Sequence, residues 1–234
     1  MVIENFNDSK EALRSMTSCL IYYMSRKDDG LPFNLALSGG ETAKKMFDLW
    51  VDEYRDTIEW NRIHFFWVDE RCVPPTDPES NYKYANELLF KPLSIRENNI
   101  FRIHGEVEPG TEAMRYSRIV KEFLPRHGQL PYFDCIILGV GEDMHTASIF
   151  PNSLPLLTDS RNYAVSQHPV THQYRVTMTG LLILNDSPLL VPVLGKEKAM
   201  VIEDLRRGYS IAKPTPATYI LSHAVEANVY TTLR

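Results

Sequence analysis

In residues 138–151, LGVGEDMHTASIFP, an imidazole (His145) follows two glycines, with a carboxylate (Asp143) two positions before it. Imidazole is the side chain best suited to proton transfer near neutral pH. Asp143 can orient such a ring, cap a helix or meet substrate hydroxyls. A capping Asp143 with His145 packed on the turn would use the same residues, so this stretch alone leaves the two open. Gly139 and Gly141 share the first spacing of a dinucleotide-binding GxGxxG, but Met144 occupies the third position, which weakens that reading.

A second set of residues suits anions. In LALSGGET (35–42), Ser38, Gly39 and Gly40 precede a helix expected to open near Glu41. Glycines admit close backbone approach, and the first N–H groups of a helix attract negative charge. Ser38 and Thr42 add hydroxyl donors. An ordinary capped glycine turn would look the same, and the GxxxxGK[ST] spacing of a P-loop is missing. Arg71 follows Asp69 and Glu70 at the end of an apolar run, where its planar fork suits phosphate or carboxylate, or a strand-end ion pair. Arg175 lies in the β-rich YRVTMT (174–179). Lys196 and Lys198 open a predicted helix, where a cation is disfavoured unless an anion is bound nearby.

These residues need a scaffold that gathers turns. Helices are predicted over 9–26, where Leu13, Met16, Leu20 and Met24 recur at helical spacing, and over 41–54, 81–90, 110–124 and 196–208, the last stopped by Gly208. Strands are predicted over 33–40, 63–70, 133–141, 162–167, 174–180, 189–195 and 217–222. The run FDCIILGVG is continuously apolar, as in a parallel sheet covered on both faces. Strand, glycine turn and helix in repetition predict an α/β fold with a doubly wound, mostly parallel sheet and helices on both faces. Ligands bind such sheets beyond the C-terminal strand ends, where the chemistry-bearing turns fall. A short helix is expected to start near His145.

The bulk numbers fit. With 44% hydrophobic and 24% charged residues the chain is ordinary for a soluble globular protein. No linker divides the 234 residues, so a single domain over 1–234 is expected. A net charge of −5 argues against a nucleic-acid partner but leaves room for a locally positive pocket. Cys19, Cys72 and Cys135 are odd in number and widely spaced, neither a disulfide framework nor a zinc site. His64, His104, His127, His168, His172 and His223 lack ligand spacing, so no metal is expected. The N-terminal segment has no signal pattern and no apolar run would span a bilayer, which together predict a cytoplasmic protein with no membrane partner.

Taken in order, LSGGET (37–42), FFWVDERCV (65–73) with ESNY (79–82), LGVGEDMHTASIFP, YRVTMTG (174–180) and GKEKA (195–199) resemble the 6-phosphogluconolactonase family, in the wider group with glucosamine-6-phosphate deaminases. The likeness runs from about residue 35 to about 205. It implies hydrolysis of 6-phosphogluconolactone in the pentose phosphate pathway by a monomer or homodimer, without a metal or organic cofactor. Carried over, Ser38, Gly39 and Gly40 match the phosphate turn and Arg71 the arginine of DER. His145 matches the proposed catalytic histidine, with Asp143 beside it. Arg175 matches the arginine of RxT and Lys198 the lysine of GxxKA.

One departure stands out: Met144 replaces the glycine of the usual DGH. We expect its backbone to keep a negative φ, the turn being reshaped around it. Two rival functions stay open. A hexosamine-phosphate deaminase would carry DEY where this chain has Asp69-Glu70-Arg71, and a phosphosugar-binding regulator would keep the pocket without catalysis.

Overall fold

Phe33–Leu37 and Leu189–Val193 are buried at every position, as strands covered on both faces must be. The computed structural model describes residues 1–207 and 215–233. Its strands are β1 (Val2–Asn5), β2 (Phe33–Leu37), β3 (Ile63–Trp67), β4 (Asp69–Arg71), β5 (Arg126–His127), β6 (Leu130–Pro131), β7 (Cys135–Ile137), β8 (Tyr163–Gln167), β9 (Tyr174–Met178), β10 (Leu189–Val193) and β11 (Ala227–Thr231). Its α-helices are α1 (Ser9–Arg26), α2 (Glu41–Glu53), α3 (Asn81–Ala85), α4 (Lys91–Leu93), α5 (Pro109–Phe123), α6 (Gly180–Ile183), α7 (Ala199–Arg207) and α8 (Pro216–His223). In α1 the expected stripe of Leu13, Met16, Leu20 and Met24 is buried, and the Asp8 carboxylate accepts the N–H groups of Lys10 and Glu11. Each such side chain removed from water contributes roughly 1.5–3 kcal/mol.

Six strands form one parallel sheet in the order β1-β11-β10-β7-β2-β3. The α/β class and the parallel sheet are those expected. After β2 the next central strand is β3, on one side; after β7 it is β10, on the other. This reversal opens a crevice above the C-terminal ends of β2 and β7. A second, antiparallel sheet has the order β4-β9-β8. Residues 63–70, expected as one strand, therefore divide between two sheets. Val68 joins them: its N–H donates to Leu37 O (2.9 Å) and its O accepts from Met178 N–H (2.8 Å).

Several expected elements differ. Residues 217–222 are not a strand but belong to α8, because Thr215 and Thr218 form a capping box and Pro216 takes the first helical position. The final strand is β11 instead, and β1, short and largely exposed at the sheet edge, was not foreseen. The 81–90 helix changes to a π-helical turn over Asn86–Phe90. The helix expected from 196 begins with a 3₁₀ turn at Lys196–Lys198 before α7, and its expected stop at Gly208 lies outside the described residues. No helix starts at His145, because Met144 (φ 66°) and Ala147 (φ 52°) are left-handed and break any helical run. No helix among the described residues is long and apolar enough to cross a membrane.

Candidate active site

The turns after β2, β7 and β10 share a cavity of about 320 Å³. Ser38, Gly39, Gly40 and Thr42 line it from the first turn and His145 from the second. Lys198 lines it from the turn before α7, and Arg71 and Arg175 from the small sheet. Lys196, the alternative lysine, does not. Asp143 is not part of the wall; its Oδ1 holds His145 Nδ1 from beside it.

The turn around His145 is closed on itself. Gly141 N–H donates to His145 O (2.9 Å), Met144 N–H to Gly141 O (3.0 Å), and Thr146 Oγ1 to Gly139 O (2.9 Å). A Cβ at Gly141 would come 2.2 Å from His145 Cε1, so only glycine leaves the ring its place. The ring also packs against Phe150, with centroids 4.9 Å apart. The hydrogen bond from His145, against the opposing effect of burial, holds the Asp143 carboxyl below its usual range. With Nδ1 engaged by a carboxylate, Nε2 is the nitrogen free to accept a proton.

Met144 has φ 66°, which overturns the negative φ expected for it. The side chain is only 7% exposed, so burial offsets the strain of a left-handed residue. A Met144→Gly change would relieve about 1–2 kcal/mol of strain. It would forfeit roughly 1.5–3 kcal/mol of burial and add unfolded-state entropy. The expected result is a net loss of about 1 kcal/mol in denaturant unfolding, with kcat within about twofold of the parent.

The cations sit close together. The β4–β9 register places Arg71 opposite Arg175. Arg71 Nη1 donates to Glu79 O, and Arg175 Nη1 lies 3.9 Å from Asp69 Oδ2. In both arginines Nε is buried without a hydrogen-bond partner. Burial lowers the Arg175 pKa, although a guanidinium stays charged. Lys198 is also lowered by burial, with Glu197 and Glu142 opposing. Clustered, under-satisfied cations of this kind suit an anion with several oxygens. Across the cleft, Gly40 has φ 90° at the start of α2. A Cβ on Gly39 would lie 1.8 Å from Asn81 Oδ1, so the helix entrance needs both glycines.

Three residues at this site were passed over in the sequence. Glu70 is 2% exposed and accepts from the N–H groups of Arg71 (2.8 Å), Asn81 (2.7 Å) and Tyr82 (2.8 Å) and from Ser80 Oγ (3.0 Å). It fastens the 71–82 loop that carries Arg71. Asp69 lines the cleft, accepts from Ser148 Oγ (2.6 Å), and has its backbone O bonded by Asn81 Nδ2 (2.9 Å). Asn81 lines the cleft as well. Their signal was the ESN that follows DER: the Ser80 hydroxyl and the Asn81 N–H answer the buried Glu70 carboxylate, and the Asn81 side chain answers Asp69 O.

The glucosamine-6-phosphate isomerases/6-phosphogluconolactonase family model matches residues 8–230. A 6-phosphogluconolactonase of Treponema pallidum is 46% identical over 164 residues, 70% of this chain and 68% of that protein. One of Haemophilus influenzae is 39% identical over 191 residues, covering 81% and 80%. The crystal structure of devB protein superposes with a TM-score of 0.90 at 35% identity, covering 98% of this chain and 95% of that one. The fold, the ordered turns and these likenesses agree, and the chain belongs to the glucosamine-6-phosphate isomerase/6-phosphogluconolactonase family.

Proposed function

We propose that this protein hydrolyses 6-phospho-D-glucono-1,5-lactone to 6-phospho-D-gluconate, a carboxylic ester hydrolysis in the oxidative pentose phosphate pathway. The observation that carries the reading is one cleft holding both a carboxylate-oriented imidazole and a cluster of three cations. The relatives named above carry the same activity in their names.

The roles follow from the chemistry. His145 Nε2 takes a proton from water as the oxygen attacks the lactone carbonyl carbon. Asp143 keeps the ring oriented and stabilises the imidazolium that forms. Negative charge gathers on the carbonyl oxygen, which cations and N–H groups of the cleft wall can stabilise. Collapse of the tetrahedral intermediate breaks the bond to the ring oxygen, which takes the proton back from His145. The phosphate rests on the 38–42 turn with Arg71, Arg175 and Lys198, and this remote binding energy holds the ester in register with the base. The site is thus assigned as His145 and Asp143 for proton transfer, with Ser38, Gly39, Gly40, Thr42, Arg71, Arg175 and Lys198 for the phosphate.

The deciding assay is acid release from the lactone in a pH-stat, corrected for spontaneous hydrolysis, beside ammonia release from glucosamine 6-phosphate. Acid release above the blank without ammonia supports the proposal. Ammonia release, or acid release equal to the blank, overturns it. Arg71 in place of the tyrosine of DEY favours the lactonase over the deaminase.

Lys198 gives this reading a pH signature. Burial lowers its folded-state pKa, so its charge is lost at a lower pH than an exposed lysine would lose it. Since the charged form binds the anion, KM will rise at alkaline pH before the ordinary lysine range is reached. Lys198→Arg will abolish that alkaline rise, because a guanidinium stays protonated there. Initial-rate measurements across the alkaline range check both statements; a rise in KM that persists in Lys198→Arg would assign it elsewhere.

A further inference from the structure

We infer that the first turn of α8 positions the catalytic histidine: the Ala217 N–H, bonded to Met144 O, keeps Met144 in its left-handed conformation and so sets the direction of His145. This rests on His145 being the base.

The first N–H groups of a helix have no partner within it. In α8 the capping box answers two locally: Thr218 N–H donates to Thr215 Oγ1 (3.3 Å), and Thr215 N–H to Thr218 Oγ1 (3.1 Å). The Ala217 N–H goes elsewhere, to Met144 O at 3.0 Å. Both residues are buried, Ala217 at 0% and Met144 at 7% exposure, so this bond is shielded from competing water. Residues with side chains avoid the φ of 66° that Met144 adopts unless their surroundings over-determine it. A bond from a capped helix to the carbonyl of that same residue is such a constraint.

The consequence reaches His145 directly. The dihedrals of Met144 fix the orientation of the peptide that enters His145, and Ala147, at φ 52°, constrains the chain just beyond. The histidine therefore lies between two left-handed residues. If Met144 relaxed to a negative φ, the ring would leave both the Asp143 carboxylate and the face of Phe150. A glycine at 144 would need no such brace, since glycine enters the left-handed region without steric penalty. In this chain the brace substitutes for that freedom.

The test is a suppressor experiment on the full chain, with 6-phosphogluconolactone as substrate. Ala217→Pro deletes the donor. Because proline also disfavours a helical residue before it, Thr215→Ala, which breaks the capping box without a proline, serves as the second variant. We expect Ala217→Pro to lower kcat by about 10-fold with KM within about twofold, since misplacing a base affects the reaction more than the binding. Thr215→Ala will shift kcat in the same direction by less. Adding Met144→Gly to either will return kcat to within about twofold of Met144→Gly alone. Circular dichroism and thermal unfolding accompany each variant; if Ala217→Pro does not fold, the Thr215→Ala pair decides. Unchanged kcat in a folded Ala217→Pro enzyme, or losses that simply multiply when Met144→Gly is added, would overturn the inference. His145→Ala, measured alongside, separates the failures: normal kcat in that variant removes the base itself, whereas a large loss there with no effect of the brace variants removes only the brace.

Discussion

His145→Ala will lower kcat for the lactone by about 10²-fold or more while KM changes little. In the proposed mechanism the imidazole acts on the proton of water in the transition state, whereas the phosphate contacts proposed to dominate ground-state binding come from other segments. Folding should tolerate the change. Asp143, half-exposed, returns to water when its partner is removed, and the Gly141, Met144 and Thr146 bonds that close the turn do not involve the imidazole ring. In the parent the hydrogen bond from His145 holds the Asp143 carboxyl below its usual range, which keeps it an anion able to orient the ring. Retention of parental kcat in His145→Ala would assign proton transfer to another group.

The second large effect belongs to Arg175. Arg175→Met will reduce kcat/KM by about 10²-fold, and Arg175→Lys by about 10-fold, because lysine keeps the charge but loses the two-pronged geometry. Most of the loss falls on KM when inorganic phosphate is tested as a competitive inhibitor beside substrate. The fold itself gains little from this guanidinium. Its Nε is buried without a partner, its nearest carboxylate is 3.9 Å away, and burial already works against its charge. Asp69 keeps the hydroxyl of Ser148 when the arginine is removed. What disappears is ligand-linked stability: phosphate raises the melting temperature of the parent in proportion to its occupancy and does so much less in Arg175→Met. A variant that loses stability without losing phosphate protection would make Arg175 a structural residue.

Particular residues show where sequence reading succeeds. The strand–glycine–helix passage at 33–53 is written in consecutive residues, as an apolar run, two glycines and an amphipathic period, and the structure forms β2, Gly39-Gly40 and α2 there. The nine residues singled out for chemistry come together, eight on the wall of one cleft and Asp143 against His145. Seven of them lie in turns beyond strand ends that the parallel sheet brings to the same side, whereas Arg71 and Arg175 reach the cleft from within β4 and β9 of the antiparallel sheet. Reading failed at 217–222, whose residues suit a strand but whose local cap of Thr215, Pro216 and Thr218 makes it a helix. It failed also where a neighbour distant in the chain decides. Glu70 reads as one acid in a charged triplet, and only the returning 79–82 loop shows it to be the buried acceptor of four donors.

Local periodicity and glycine turns by themselves determined the α/β class and marked the turns that line the cleft, and residue chemistry named the candidates for base and anion contact. Such signals depend on backbone preferences and burial patterns within a few residues, and these are present in the chain before it folds. The tertiary structure alone decided the strand order, the separation of β4 from β3, the pairing of Arg71 with Arg175 and the sign of φ at Met144. Each of these is settled by hydrogen bonds and packing between segments far apart in sequence. At Met144 the balance lies between the intrinsic preference for negative φ and the combined pull of a buried side chain and the Ala217 N–H, which only the folded chain brings within reach.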